Sequence, residues 1–195
     1  MLFAVAIMTQ PLIIPFAGKT PLVAADAFIA PTATLIGDVT IGAGSSVWYG
    51  CILRGDYNAI RVGARSNLQD GTVVHIDSRT FGAEIGDDVT VGHMCLIHAC
   101  TLESGSFVGN KACVMDGAVV ETGAMVAAGA LVTPNKRVPA GELWGGSPAG
   151  KLRDLTQEQR AALTLTAKAY AAFAGEHRAV CAGLAAPARL GRALA

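Results

Sequence analysis

The amino-acid sequence predicts an all-β fold, a parallel β-helix with one α-helix near its C-terminal end. The main observation is that large aliphatic residues recur at every sixth position. One series comprises Ile29, Leu35, Ile41, Val47 and Leu53, and a second comprises Leu102, Val108, Val114, Val120, Val126, Val132 and Val138. A six-residue period is too short for a helical solenoid and is typical of a hexapeptide repeat, in which three short strands and three corners form one coil.

Two further patterns support the β-helix. A small or medium residue stands four positions after each large aliphatic one, as at Ala33 and Ala112, which suits a narrow triangular interior. Glycine often follows the aliphatic residue directly, as in Ile41-Gly42, and it suits corners whose backbone angles other residues avoid. An ordinary β-sandwich with frequent turns is the alternative, but it does not explain twelve aliphatic residues in one register.

Four segments are predicted along the chain. They are an N-terminal segment (1–20), the β-helix (21–150), a C-terminal helix (151–177) and a disordered tail (178–195). Thr156 and Gln159 form a capping box that would start the helix. Its packing candidates are Leu163, Leu165 and Phe173. The repeat is interrupted within 54–59 and again within 77–83, where five residues loop out, and loops on a rigid scaffold often carry function.

The composition limits the classes of function. Fifteen basic and fifteen acidic side chains cancel, so the charge gives no indication of binding to nucleic acid or to an anionic membrane surface. Residues 2–8 are apolar but lack a basic flank and are too short to span a bilayer, so we expect neither a signal peptide nor an anchor. Five cysteines without a C-x-x-C pair favour the cytoplasm. Cys51, Cys95 and Cys100 fall at inward repeat positions, which predicts core packing and not metal binding.

Three of the four histidines, His75, His93 and His98, lie close together in the sequence. His75 and His98 each follow an inward aliphatic residue and are 23 residues apart. Without the five looped-out residues this separation is one coil of 18, so we expect the two side chains to stack on adjacent coils, about 4.8 Å apart. That spacing lets two imidazoles bind one metal ion.

His93 stands one hexapeptide earlier, on a different side of the predicted triangle. It would reach the same ion only from a neighbouring subunit, which predicts a cyclic trimer with three shared sites. Three histidines without a fourth protein ligand are typical of catalytic zinc sites, which keep a position open, whereas structural zinc sites are closed.

Several motifs then indicate a family. They are Arg54-Gly55-Asp56, Asn67-Leu68-Gln69-Asp70-Gly71 running to His75, Gly92-His93 with His98 five residues later, Met115-Asp116-Gly117-Ala118, and Gly146-Ser147-Pro148-Ala149. Together they resemble the γ-class carbonic anhydrases and their close relatives over roughly residues 20 to 175. The histidine spacing is the specific part of this resemblance, because hexapeptide acyltransferases have turns similar to Gly-Ser-Pro-Ala.

The resemblance implies a left-handed β-helix, a homotrimer, and one divalent metal ion at each interface, with zinc preferred over iron(II) or cobalt. The implied reaction is the reversible hydration of carbon dioxide to bicarbonate by metal-bound hydroxide. Gln69 matches the side chain that hydrogen-bonds the metal-bound solvent. Arg54, Asp56 and Asp70 match a charged cluster at the subunit junction, and Tyr170 resembles a helix residue that reaches over the site.

Each of these residues also has a structural interpretation. Arg54 and Asp70 would then form an ion pair at the interface, Gln69 would be a surface ladder residue, and Tyr170 would pack the helix. The sequence departs from the family at Tyr57 and Ser78, where well-studied members have glutamates tied to proton transfer. The resemblance therefore implies an intact metal site without a proton shuttle, and hence weak activity.

Three other functions stay open at this point. The same metal site would also support hydrolysis of a thioester or another carbonyl compound. A metal that only joined subunits would make the protein a non-enzymatic trimer, although such a site needs no open coordination position. Acyl transfer, a common activity on this fold, usually needs a catalytic histidine outside a metal triad, and only His177 remains for that role.

Overall fold

The computed structural model describes residues 10–77 and 80–184, which form a parallel solenoid of about seven turns followed by one helix. The strands are β1 (Leu12–Ile14), β2 (Leu22–Val23), β3 (Phe28–Ile29), β4 (Thr34–Ile41), β5 (Ser46–Val47), β6 (Ile52–Val62), β7 (Asn67–Leu68), β8 (Val73–His75), β9 (Ala83–Ile85), β10 (Thr90–Val91), β11 (Leu96–His98), β12 (Thr101–Leu102), β13 (Phe107–Val108), β14 (Cys113–Val114), β15 (Val119–Val120), β16 (Met125–Val126), β17 (Leu131–Val132), β18 (Arg137–Val138), β19 (Glu142–Gly146) and β20 (Ala149–Asp154). The helix is α1 (Gln157–Leu184). The predicted β-helix is therefore confirmed.

Three faces of the prism alternate along the chain. Strands β3, β5, β7, β10, β13, β16 and β19 stack on the side that α1 covers, which we call the helix face. Strands β8, β11, β14 and β17 form the histidine face, and β9, β12, β15 and β18 form the third face. The longer strands β4 and β6 run along the histidine face, turn the corner and continue on the third face. One coil thus passes from the helix face to the histidine face and then to the third face.

The core consists of the residues that the six-residue period selects. Leu35, Leu53, Leu102 and the valines of the second series are fully buried, whereas Ile29 near the open end is half-buried. Small residues such as Ala112 and Ala118 fill the remaining positions. Cys51, Cys95 and Cys100 are buried as predicted, and burial raises the pKa of these thiols to about 12, 11 and 12.

A substitution in this ladder should have a large effect on stability. Leu102 is fully buried, and Leu102→Ala should lower the free energy of unfolding by about 2 to 5 kcal/mol, because a cavity in the narrow interior closes poorly. Leu165→Ala is a matched control, since Leu165 is 64% exposed. It should change stability by at most about 0.5 kcal/mol. Urea unfolding followed by circular dichroism measures both, and equal effects would contradict the inward assignment of Leu102.

Several predicted boundaries need correction. The coil begins before residue 21, because β1 already pairs with β4 and Leu12 lies opposite Thr34. Residues 151–154 continue strand β20, which returns antiparallel beside β19 and so cannot be helical. The helix runs to Leu184, past the predicted end at His177. Residues 178–184 were therefore wrongly assigned to a disordered tail, and 185–195 lie outside the described residues.

Tertiary contacts explain why the helix continues. Arg178 donates a hydrogen bond to the carbonyl of Asp26, and the Cys181 thiol lies 3.7 Å from the Tyr49 hydroxyl. The predicted capping box is confirmed, since the Gln159 backbone N–H donates to Thr156 Oγ1 and the Thr156 N–H donates to Gln159 Oε1. Of the predicted packing residues, Leu163 is buried, whereas Leu165 and Phe173 point to solvent. Within the described part of the chain, no helix is long and apolar enough to cross a bilayer.

Candidate metal centre

His75 and His98 stack on adjacent coils at the end of the histidine face, as the spacing predicts. They are paired in register between β8 and β11, with ring centroids 5.2 Å apart. His75 Nδ1 lies 3.2 Å from His98 Nε2. Both side chains are about three-quarters buried. The two histidines pair in register although 23 residues, five more than one coil of 18, separate them.

The second nitrogen of His75 has an unusual environment. His75 Nε2 is buried and has no hydrogen-bond partner in the described part of the chain. Asp56 Oδ1 lies 3.4 Å away and forms an ion pair with His75 only if the imidazole is protonated. Burial lowers the pKa of His75, and the positive charge of Arg54 lowers it further. His75 is therefore neutral at pH 7, which is the form that binds metal ions.

Arg54 and Asp56 lie on the coil before His75, where β6 leaves the histidine face. Leu35 pairs with Leu53, 18 residues later, whereas Val39 pairs with Ile60, 21 residues later, so three additional residues bulge out between these pairs. Gly55 permits this bulge, because a Cβ there would lie 2.6 Å from the Asp38 carbonyl oxygen. The bulge brings the Asp56 carboxylate against the Arg54 guanidinium and towards His75.

The charge state of Asp56 follows from this pairing. Burial raises the pKa of its carboxyl, but a hydrogen bond to its own backbone and the positive charge of Arg54 outweigh that effect and lower the pKa overall. Asp56 is thus an anion at neutral pH. Within one chain Arg54 pairs with Asp56, and the ion pair of Arg54 with Asp70 at a subunit interface stays a prediction.

Asp116 is a site residue to which the sequence interpretation gave no role. It follows β14, one coil beyond His98, and its Oδ1 lies 3.1 Å from His98 Nδ1. Arg54, Asp56, His75, His98 and Asp116 thus line the corner where the histidine face meets the third face, which we call the second corner.

Gln69, Asp70 and His93 lie at the opposite edge of the histidine face, in the turns that lead from β7 and β10 into it. We call this edge the first corner. His93 Nδ1 lies 3.0 Å from Asp70 Oδ2, and both side chains are substantially exposed. Gln69 is buried, and its Nε2 donates to Asn67 Oδ1 over 3.1 Å. The structure thus separates His93 from the other two histidines, as the repeat predicted.

Tyr170 lies on α1 above the helix face. Its ring packs edge-on against Trp48, with centroids 5.4 Å apart. Burial raises the pKa of its hydroxyl, and the negative charge of Asp70 adds to that effect. His177 lies about two turns further along α1. Its Nδ1 is 2.9 Å from the Tyr49 hydroxyl, so it belongs to the same packing contact.

The predicted site residues therefore form two groups in one chain. In the residues that the structure describes, no group of three or more histidine, cysteine, aspartate or glutamate side chains is arranged to hold a metal ion within a single chain. The second corner supplies two imidazoles and the first corner supplies one. The two glutamate-replacing positions differ: Tyr57 is an exposed residue of the β6 bulge, whereas Ser78 lies outside the described residues.

Comparison with known proteins decides the family. A carbonic anhydrase from Geobacillus kaustophilus (strain HTA426) is 39% identical over 147 residues, which cover 75% of this chain and 80% of that protein. The mitochondrial γ carbonic anhydrase 2 of Arabidopsis thaliana is 52% identical over 164 residues, 82% of this chain. The chain belongs to the γ-class carbonic anhydrase family. No protein-family model matches it.

Structural similarity to the family's fold is equally clear. A crystal structure of a hexapeptide transferase family protein from Anaplasma phagocytophilum superposes with a TM-score of 0.82 at 48% identity, covering 85% of this chain and 97% of that one. This chain spans only 59% of the length of the Arabidopsis γ carbonic anhydrase 2. The left-handed β-helix that the resemblance implied is thus the fold of this chain.

Proposed function

We propose that this protein is a γ-class carbonic anhydrase that hydrates carbon dioxide reversibly at a divalent metal ion. The observation that carries the proposal is the pairing of the His75 and His98 imidazoles, together with a buried His75 Nε2 that has no hydrogen-bond partner among the described residues. A buried nitrogen lone pair without a donor is unfavourable unless a ligand uses it, and a metal ion does so. Family membership supports the same chemistry.

His75, His98 and His93 would hold the metal, and the donor set fits. Three neutral imidazoles suit zinc, and they also accept iron(II) or cobalt. When bound, such an ion supplies Lewis acidity, which makes a water molecule a stronger nucleophile near neutral pH. We propose zinc as the resident ion.

A complete site needs two chains, and we propose a homotrimer. His93 lies at the first corner and His75 and His98 at the second, so a three-fold arrangement that brings unlike corners of neighbouring chains together would unite all three. The same contact would bring the Gln69 and Asp70 of one chain to the Arg54 and Asp56 of the next. Each interface would then have one site.

The remaining residues would act on the substrates. Arg54 keeps its charge beside Asp56 and remains half-exposed, so its guanidinium can donate hydrogen bonds to bicarbonate. Gln69 is held by Asn67 and would orient a water molecule for attack on carbon dioxide. Asp70 accepts from His93 Nδ1 and would fix the orientation of that ring. Tyr170 would cover the site from α1, although its contact with Trp48 is also ordinary packing.

No observation favours acyl transfer. His177, the histidine available for that role, is engaged with the Tyr49 hydroxyl and packed among Trp48 and Phe28.

The five cysteines are free thiols, which supports a reducing compartment, and we propose the cytoplasm.

One experiment tests the proposal directly. The protein is purified aerobically and anaerobically, its metal content is measured, and carbon dioxide hydration is followed by stopped flow. We expect one divalent ion per chain and a hydration rate that His75→Ala abolishes along with the metal. A metal-loaded trimer that does not hydrate carbon dioxide but cleaves thioesters would overturn the assigned reaction. A loaded trimer without either activity would indicate that the metal only joins subunits.

A further inference from the structure

We infer that Asp116 is a positioning residue that sets the tautomers of both metal-binding histidines of the second corner. The inference rests on the proposed function, because it concerns how this chain presents His75 and His98 to a metal ion. Its basis is a line of side chains on successive coils: Asp116 Oδ1 to His98 Nδ1 is 3.1 Å, and His98 Nε2 to His75 Nδ1 is 3.2 Å.

The hydrogen positions follow from what each group can do. An ionised carboxylate only accepts hydrogen bonds, so His98 Nδ1 must carry the hydrogen. The imidazole that binds a metal ion is the neutral form, which has only one N–H, so in that form His98 Nε2 has a lone pair. His75 Nδ1, which lies next to that lone pair, must then be the donor between the two rings.

The same reasoning fixes the last nitrogen in the line. If His75 Nδ1 carries the hydrogen, His75 Nε2 has a lone pair, and it faces Asp56 Oδ1 at 3.4 Å, another acceptor. This arrangement explains why His75 Nε2 is buried without a hydrogen-bond partner in the described part of the chain. In this arrangement both rings have an unprotonated Nε2, which is the form a metal ion requires.

The first corner shows the same relation between a carboxylate and a histidine. Asp70 Oδ2 lies 3.0 Å from His93 Nδ1, so that nitrogen donates to the carboxylate. Asp116 differs in acting on two rings, since its effect on His75 passes through His98. Without Asp116, His98 could carry its hydrogen on Nε2, where it would compete with the metal ion and donate to His75.

The test compares Asp116→Ala and Asp116→Asn with the wild-type protein. Asp88→Asn is the control, because Asp88 is also a corner carboxylate in an ion pair, with Arg65, but does not contact a histidine. The first readout is the imidazole ¹⁵N spectrum of the metal-free protein, which distinguishes Nδ1–H from Nε2–H tautomers. The second is zinc affinity, measured by competition with a chromophoric chelator.

We expect His75 and His98 to be Nδ1–H tautomers in the wild-type and Asp88→Asn proteins. In Asp116→Ala both should shift towards Nε2–H, and zinc affinity should fall about 10- to 100-fold. Asp116→Asn keeps a neutral hydrogen-bond acceptor, so the zinc affinity of this variant should fall less. If the alanine variant does not fold, the asparagine variant decides the question.

Unchanged spectra with an affinity loss below about threefold in the folded variants would overturn the inference. If the wild-type protein bound no zinc but its tautomers still depended on Asp116, the proposed function would fail and the role of Asp116 would stand.

Discussion

Trimers assembled from a mixture of His75→Ala and His93→Ala chains should bind metal, whereas trimers of either variant alone should be empty. Each site takes His75 and His98 from the second corner of one chain and His93 from the first corner of its neighbour. A site is complete where a His93→Ala chain supplies the pair and a His75→Ala chain supplies His93. With random mixing of equal amounts, about one quarter of the sites should be complete.

The matched control is a mixture of His75→Ala and His98→Ala chains. Both lesions lie at the second corner, so no chain in this mixture can supply the pair, and the trimers should stay empty. In each mixture the two variants are co-expressed with different tags, so that trimers containing both can be purified. The metal content and the carbon dioxide hydration rate of these trimers are then measured. Full metal occupancy in trimers of His93→Ala alone, or recovery in the control mixture, would show that the sites are not shared as we propose.

The fold was predictable because a hexapeptide coil gives each residue a fixed orientation. Counting in sixes placed Leu53 and Leu102 in the core, and subtracting the five-residue loop placed His98 over His75. The same count could have found Asp116, which stands 18 residues, one coil, after His98. What that count does not provide is the contact between the Asp116 carboxylate and the His98 ring, which only the folded coils show.

The C-terminal part was harder to predict because its order depends on tertiary contacts. Residues after His177 are rich in alanine and glycine, and their sequence alone resembles a frayed tail. The contacts of Cys181 with Tyr49 and of Arg178 with Asp26 join residues more than 130 positions apart. No local pattern indicates such pairs, so the helix end at Leu184 emerged only from the structure. The shared metal site likewise depends on a second chain.

Carbon dioxide hydration by the wild-type protein should be slow in dilute buffer and should rise with the concentration of imidazole at constant pH and ionic strength. Hydration of each carbon dioxide molecule releases one proton, which must leave a site whose carboxylates are already engaged: Asp56 by Arg54, Asp70 by His93 and Asp116 by His98. A positioned acid or base typically contributes about 10² to 10⁴-fold to such a transfer. At Tyr57, where the resemblance implies a glutamate tied to proton transfer, the side chain has no carboxylate.

Tyr57→Glu should therefore raise the rate in dilute buffer by about tenfold or more and reduce its dependence on imidazole. The variant should fold, because Tyr57 lies in the β6 bulge and is 69% exposed. Its aromatic contact is edge-on packing against the ring of Phe16. Tyr57→Gln has the same size as the glutamate variant but cannot accept a proton, so it should behave like the wild-type protein. Stopped-flow rates across an imidazole series would measure all three. Fast turnover of the wild-type protein that does not depend on buffer would contradict the prediction that the protein lacks a proton shuttle. If no buffer elicits hydration from a fully metal-loaded trimer, carbon dioxide is not the substrate, and thioester hydrolysis becomes the reaction to test.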